Sequence, residues 1–339
     1  MASNLFGLDI GRSFIKVVQT DVSRGKKILT NCAAVPTPIG GIQSESPVDL
    51  AKISDAIIDC LDRAKINLDK CAVSLIESQV VSRLIELPNL TDKELFAAIH
   101  WEAEQYIPLP ITDVNLQYKI VSRPEGSAGG KLNVLLVAVP KRVIEKYLNV
   151  VRNAKLRPQA LETESAALTR ALTRPGDPAT IIVSMGAVST ELVVASDGNV
   201  LFTRSIATGG LSLTKSIMAE FNLPVKQAEE YKQTYGILEE KLSGKVAAVL
   251  KPIMDILISE ILKAIEFTHT YFQKSQVARI VVCGGGAYLP GFSEFLAERT
   301  SIEVNMGDPW ADFSKEGLIL KVPGQGSVYA VATGLALRS

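Results

Sequence analysis

Histidine and cysteine are scarce in this chain, and the few present stand apart. Among 339 residues there are four cysteines (Cys32, Cys60, Cys71 and Cys283) and two histidines (His100 and His269). None pair as C-x-x-C and no Cys/His group has metal-ligand spacing, which argues against a structural zinc site. The cysteines lie in apolar runs and read as buried thiols. An excess of either charge is missing too, with 36 basic residues against 36 acidic ones. Without a basic surplus nothing points to nucleic acid, which binds through neutralised phosphates. A run of about 18–20 uncharged apolar residues is also absent, which excludes a membrane-spanning helix. The nearest approach, Val246–Phe272, is interrupted by Lys251, Asp255, Glu260, Lys263 and Glu266. Its apolar positions Leu250, Ile253, Met254, Leu257, Ile258, Ile261 and Ile265 follow the helical period, so it reads as one long amphipathic helix with a core-facing stripe. The segment Ala330–Ser339 is apolar and small, unlike a basic amphipathic lipid anchor. No signal-peptide pattern opens the sequence, and a cytoplasmic location is expected.

What the chain does have is a strand-turn-strand with glycine at its bend, written twice. Leu5–Val18 and Ile181–Val194 align with Gly11 on Gly186. Each copy has an apolar strand, a small bend, a hydroxyl residue shortly after it, and a second apolar strand. A small residue at a turn lets the main chain approach an anion with its N–H groups pointing into the gap. One such hairpin is ordinary. Two copies in a chain long enough for two domains suggest a duplicated domain with two phosphate-gripping loops facing one cleft.

Strands and helices alternate throughout, which predicts an α/β fold. Ser46-Pro47 opens a helix, with Ser46 as cap and Pro47 at the first helical position. Cys71–Ile76 reads as the following strand. The section Arg83–Arg157 looks inserted. Thr91-x-x-Glu94 is a capping box, and the helix it opens stops at Pro108. Two strands follow, Asn115–Ser122 and Leu132–Val139, joined by a flexible hairpin tip at Glu125–Gly130. Pro140 starts a second helix with Val143, Tyr147 and Val151 inward. In the second half, Thr208-Gly209-Gly210 precedes a helix, and a polar helix follows at Val225–Tyr235. After the long amphipathic helix, Arg279–Cys283 is an apolar strand that runs into Gly284-Gly285-Gly286. A final helix is predicted at Ser327–Leu337.

Three elements thus occur in order: D-x-G near the N-terminus, a second glycine-bend hairpin, and strand-Gly-Gly-Gly-helix. This layout resembles the actin, Hsp70 and sugar-kinase ATPase fold. Within it the chain resembles the PilM family, cytoplasmic actin-like proteins of the type IV pilus inner-membrane platform, and more distantly the division protein FtsA. The residues that carry the likeness span almost the whole chain. They include Gly7–Gly11 with Ser13–Val18, Leu87-Pro88, the run Glu102-Ala103-Glu104-Gln105-Tyr106-Ile107-Pro108, and Val137–Lys141. Ala166-Ala167-Leu168, Ala228-Glu229-x-x-Lys232, the triple glycine and Asp308-Pro309-Trp310 also fit.

The resemblance implies a two-domain actin-like fold of duplicated ribonuclease-H-like domains, with a small α+β module inserted in the first. Domain 1 would comprise 1–82, 158–180 and 320–339, the module 83–157, and domain 2 residues 181–319, with its outer subdomain at about 205–275. It implies ATP or ADP with Mg²⁺ as ligands. Main-chain amides around Gly11–Ser13 would grip phosphates, with a hydroxyl from Ser13 and charge from Lys16. Asp9 would hold Mg²⁺ through water. Arg12, usually small in the family, would touch phosphate or face solvent. Gly186, Ser189 and Thr190 would hold phosphate from the second bend. Gly209 and Gly210 would approach ribose or phosphate, and Glu229 and Lys232, on one helix face, would bind ribose or adenine. Gly284, Gly285 and Gly286, with Leu289, would let the adenosine pack on bare backbone. Read without the family, Lys16 is a surface strand lysine, Asp9 a turn residue and Glu229–Lys232 an exposed ion pair.

One departure stands out. Where the family has aspartate in the second hairpin this chain has Ser184. Serine is uncharged and a poor base, so nucleotide binding with slow or absent hydrolysis is expected. Glu162 and Glu164 are candidates for the missing carboxylate. The resemblance also implies a partner, the cytoplasmic N-terminal peptide of a PilN-like membrane protein, taken in a groove beside the module. By the same resemblance, other pilus-platform proteins, the assembly motor and further copies of the chain would be additional partners. The protein would be recruited to the membrane without inserting in it. The alternatives are an FtsA-like filament former and a small-molecule kinase of the same superfold.

Overall fold

The computed structural model describes residues 5–23, 25–123, 130–272, 276–314, 318, 322 and 326–338. The first half runs β1 (Phe6–Ile10), β2 (Phe14–Ser23), β3 (Lys26–Pro36), α1 (Pro47–Ala64) and β4 (Lys70–Leu75). It continues with β5 (Val81–Pro88), α2 (Asp92–Tyr106), β6 (Val114–Ser122), β7 (Lys131–Pro140), α3 (Lys141–Asn153), β8 (Arg157–Thr163) and α4 (Glu164–Leu172). The second half runs β9 (Thr180–Met185), β10 (Thr190–Ser196), β11 (Asn199–Ile206), α5 (Gly210–Phe221), α6 (Val225–Tyr235) and α7 (Lys245–Tyr271). It closes with β12 (Arg279–Cys283), α8 (Phe292–Thr300), β13 (Glu303–Met306) and α9 (Ala330–Ala336).

The duplication read from the two bends is written into the sheets. The first sheet has the order β3-β2-β1-β4-β8 and the second β11-β10-β9-β12-β13. In both, the first three strands form an antiparallel meander and the last two run parallel to the first. The bends close alike: the Gly11 N–H donates to Phe14 O at 3.1 Å and the Gly186 N–H to Ser189 O at 2.9 Å.

Apolar strands with helices on them give each sheet its own core. Phe6, Leu8, Ile15 and Val17 pack on Ile53, Ile57 and Cys60 of α1. Ile181, Val183 and Leu192 pack on Ile217 of α5 and on Leu250, Leu257 and Ile261 of α7. Each such fully buried aliphatic side chain contributes about 1.5–3 kcal/mol. The inner faces of the two sheets meet through α4 and α9, where Ala72, Leu168, Ile182, Val193 and Leu335 form one shared cluster. Small residues allow that contact. A Cβ at Gly334 of α9 would stand 1.9 Å from the Ala167 carbonyl of α4, so only glycine permits this approach.

The inserted module is the three-stranded sheet β5-β7-β6 with α2 laid on it. Leu95, Ile99 and Ala103 of α2 face Ile85, Leu132 and Val134. The capping box is formed: the Glu94 N–H donates to the Thr91 hydroxyl, and the Thr91 N–H donates to Glu94. The predicted second module helix, α3, packs elsewhere. Val143, Tyr147 and Val151 enter the core of the first sheet, beside α1. Of the hairpin tip at 125–130, residues 125–129 lie outside the described residues. Ser46 occupies the cap position of α1 but its hydroxyl makes no capping bond, so Pro47 carries the start alone. The last predicted helix begins as a 3-10 turn at Gly326–Tyr329. No helix among the described residues is long and apolar enough to cross a membrane.

Candidate functional site

The two bends face a cavity of about 780 Å³ between the halves, within the range of small-molecule sites. From the first hairpin it is lined by Asp9, Gly11, Arg12, Ser13 and Lys16, and from the second by Gly186 and Ser189. Glu229 and Lys232 of α6, Gly210, the Gly284–Gly286 turn and Leu289 form the far wall. Residues spread from 9 to 289 along the chain therefore share one space. Glu164, one of the two candidates for the missing carboxylate, also lines it, and the structure adds Tyr288, Ser327, Tyr329 and Glu191 to that wall.

Asp9 and Lys16 are cross-strand partners in the β1–β2 register. The Lys16 ammonium donates to Asp9 Oδ2 at 2.8 Å, and the Ser74 hydroxyl donates to Oδ1 at 3.0 Å. Asp9 is 2 % exposed. A buried carboxylate of this kind needs its cation and hydrogen bond. Sequence reasoning gave both residues to the ligand without seeing that they hold each other. The spacing carried the signal, since opposed positions of a hairpin share a face.

Several predicted contacts are arranged differently. Thr190 is fully buried, its hydroxyl donates to Thr208 O, and it does not line the cavity. Gly209 does not line it either: a Cβ there would meet Gly186 O and Ala187 C at 2.7 Å, so this glycine serves packing of the α5 start on the second bend. The next amides are spent on the same bend, Gly210 N–H to Gly186 O and Leu211 N–H to Ala187 O. The α5 terminus is thus closed to an anion, because its free donors are used. Lys232 donates to Glu229, Thr214 and Gly210 O, and forms an ion pair on the cavity wall. Of the three consecutive glycines, Gly284 (φ +80°) and Gly286 make room for Met185, whereas the Cβ position of Gly285 is open space. Arg12 is solvent-exposed and its guanidinium donates to Gln43.

A carboxylate group that the sequence did not flag stands where the two halves touch. Glu77 and Glu191 are each 4 % exposed. Glu77 accepts from the Ser165 N–H and hydroxyl, and its own N–H donates to Glu164 Oε2. Glu191 Oε1 accepts from the Ser189 and Ser205 hydroxyls at 2.9 and 2.8 Å. Burial, with the Glu77 charge added, pushes the Glu191 carboxyl up to about 7. Glu164 is raised as well, by burial and then by Asp9 and Glu191. Glu162, one candidate for the missing carboxylate, is bound instead by Arg170 and Arg338.

Among the described residues no group of three or more His, Cys, Asp or Glu is placed to hold a metal ion by itself. A hard cation such as Mg²⁺ would have to arrive with phosphate oxygens and keep its waters. Cys60, Cys71 and Cys283 are buried, with thiols pushed up to about 12 by burial, while Cys32 is half-buried and raised to about 11. None is a nucleophile near neutral pH.

Paired sheets of one topology, a cleft between them and glycine bends on both sides define a two-domain actin-like fold. The chain belongs to the PilM family: the family model described as "Type IV pilus assembly protein PilM" matches residues 7–339. Its structure is similar to that of a PilM-PilN type IV pilus biogenesis complex, with a TM-score of 0.83 and 28% identity over 99% of this chain and 98% of the other. It is also similar in fold to MreB5 of Spiroplasma citri bound to AMPPNP, with a TM-score of 0.54 and 15% identity over 97% of this chain and 94% of that one. Among curated proteins, the cell division protein FtsA of Streptococcus pneumoniae serotype 2 is 22% identical over 89% of this chain and 75% of its own length.

Proposed function

We propose that this chain is a nucleotide-binding scaffold of type IV pilus assembly. The cleft takes ATP or ADP with Mg²⁺, and a groove beside the module takes the cytoplasmic N-terminal peptide of a PilN-like membrane protein. One observation carries the reading: two glycine bends with equivalent hydrogen bonds close on the same cavity. Gly11, Ser13, Gly186 and Ser189 would hold the phosphates, with Lys16 offsetting their charge. Glu229, Lys232, Gly285 and Leu289 would border the adenosine. Mg²⁺ would neutralise phosphate charge and be held by Asp9 through water. Hydrolysis would be slow, below about one turnover per second, because Ser184 cannot act as a base. The domain division would be 1–82 with 158–180 and 320–339, the module at 83–157, and 181–319, with α3 reaching from the module onto the first sheet.

A second cavity of about 460 Å³ supports coupling between nucleotide and partner. It lies where Gln43, Glu77 and Ser82 meet Thr203 and Ser205 of β11, and it shares Arg12, Ile76, Val188 and Ser189 with the cleft. Tyr106 and Leu109 are exposed beside the module, whereas Ile107 is in its core. Membrane recruitment would then come from the partner. Gly285→Leu tests the cleft, since Gly285 lines it and a Cβ there meets no protein atom within 4 Å. Calorimetric titration should show micromolar Mg²⁺–ATP binding to the wild type and at least about a hundredfold loss, near 3 kcal/mol, in the variant. Equal binding by both would overturn the assignment of the cleft.

A further inference from the structure

The two hairpins are related position by position. Asp9 stands two residues before Gly11 and Lys16 five after it; Ser184 stands two before Gly186 and Glu191 five after it. Both pairs are direct cross-strand partners, Asp9 with Lys16 and Ser184 with Glu191. Opposed residues in an antiparallel pair project on the same face with Cβ atoms about 4.5–5.5 Å apart. The second hairpin has therefore not lost its carboxylate. It carries a carboxyl group one strand over, on β10.

Glu191 lines the same cavity as the bends. Its Oε1 is held by Ser189 and Ser205. Its Oε2 is buried with no hydrogen-bond partner among the described residues, although the residue is only 4 % exposed. A buried polar atom left unmatched costs about 1–3 kcal/mol, so a carboxylate oxygen kept this way calls for a donor that arrives with a ligand. Ser165, Thr203 and Thr163 are engaged with one another or with Glu77, and Lys16 with Asp9.

We propose that Glu191 supplies the carboxylate missing at Ser184, its side chain turning into the cavity it lines so that the unmatched Oε2 accepts from water that hydrates the Mg²⁺ of a bound nucleotide. This rests on the nucleotide reading above. It makes Glu191 a positioning residue for the hydrated cation, opposite Asp9 across the cleft.

The test is titration calorimetry of ATP with Mg²⁺ and of ATP in chelator, on wild type, Glu191→Gln and the double variant Ser184→Asp/Glu191→Gln. Wild type should bind the Mg²⁺ form at least about tenfold more tightly. Glu191→Gln should bind metal-free ATP as wild type does and lose that tenfold preference, and the double variant should regain it. Three results would overturn the proposal: an unchanged preference in Glu191→Gln, equal weakening of both forms, or no recovery in the double variant. Failure of wild type to bind either form would instead overturn the nucleotide reading, and the role of Glu191 with it. Melting curves of each variant report folding separately from binding.

Discussion

The first hairpin places a carboxylate and an ammonium opposite each other, and the second places a serine opposite a carboxylate. Both use the same sheet order and register, and both bends close with the same hydrogen bond. Asp9 is thus neutralised within its own hairpin, while one oxygen of Glu191 has no partner among the described residues. A buried charge with its counter-ion is stable at rest; one without holds on to a proton instead. The backbone fixes where two acidic groups can stand, and side-chain choice decides which of them depends on what enters the cleft.

The largest effect should come from breaking the paired side. Lys16→Ala leaves Asp9 buried without its cation and should cost about 3 kcal/mol, read as a lower denaturant midpoint at unchanged slope. The double variant Asp9→Asn/Lys16→Met should recover most of that loss, since no charge remains to be stranded. A single Lys16→Ala as stable as wild type would mean that Asp9 is already hydrated, and the contrast between the hairpins would fall.

On the unpaired side the sign reverses. The Glu191 carboxyl rises from its ordinary 4.5 to about 7 in the folded protein. Between those values the folded state keeps a proton that the unfolded chain has released, so this group's contribution to stability falls as pH rises through the window. Above about pH 7 the whole penalty is present. Glu191→Gln should therefore melt above wild type at pH 8, by on the order of 2 kcal/mol, with the difference closing by about pH 5. A gap independent of pH would show that the carboxyl is not the cause.

The bends, the long amphipathic α7 and the glycine turn after β12 were legible because each is a local pattern: apolar runs, small residues and a helical period. The strands β3, β8, β11 and β13 were not. β8 begins Arg157-Pro158-Gln159, and only two of the eight positions of β11 are buried, Leu201 and Ile206, which blunts the alternation that marks a strand. The site divides the same way. Residues at the bends were legible one by one, but Asp9 with Lys16, and Glu191 with Ser184, are relations across a register that no single position displays. The resemblance puts Thr190 and Gly209 at the ligand, and tertiary packing uses them otherwise.

The smallest effect sharpens the comparison from outside. The module has its own core, and its helix α2 starts on an exposed capping box that touches neither hairpin. Thr91→Ala removes the hydroxyl that accepts from the Glu94 N–H, which should cost about 1 kcal/mol. Because that bond serves only the first turn of α2, the loss should appear as faster amide exchange there, by about fivefold, with protection of β1 and β9 unchanged. Nucleotide affinity should not move. If β1 loses protection along with α2, the module and the first sheet unfold as one unit, and the packing of α3 on α1 is the contact that joins them.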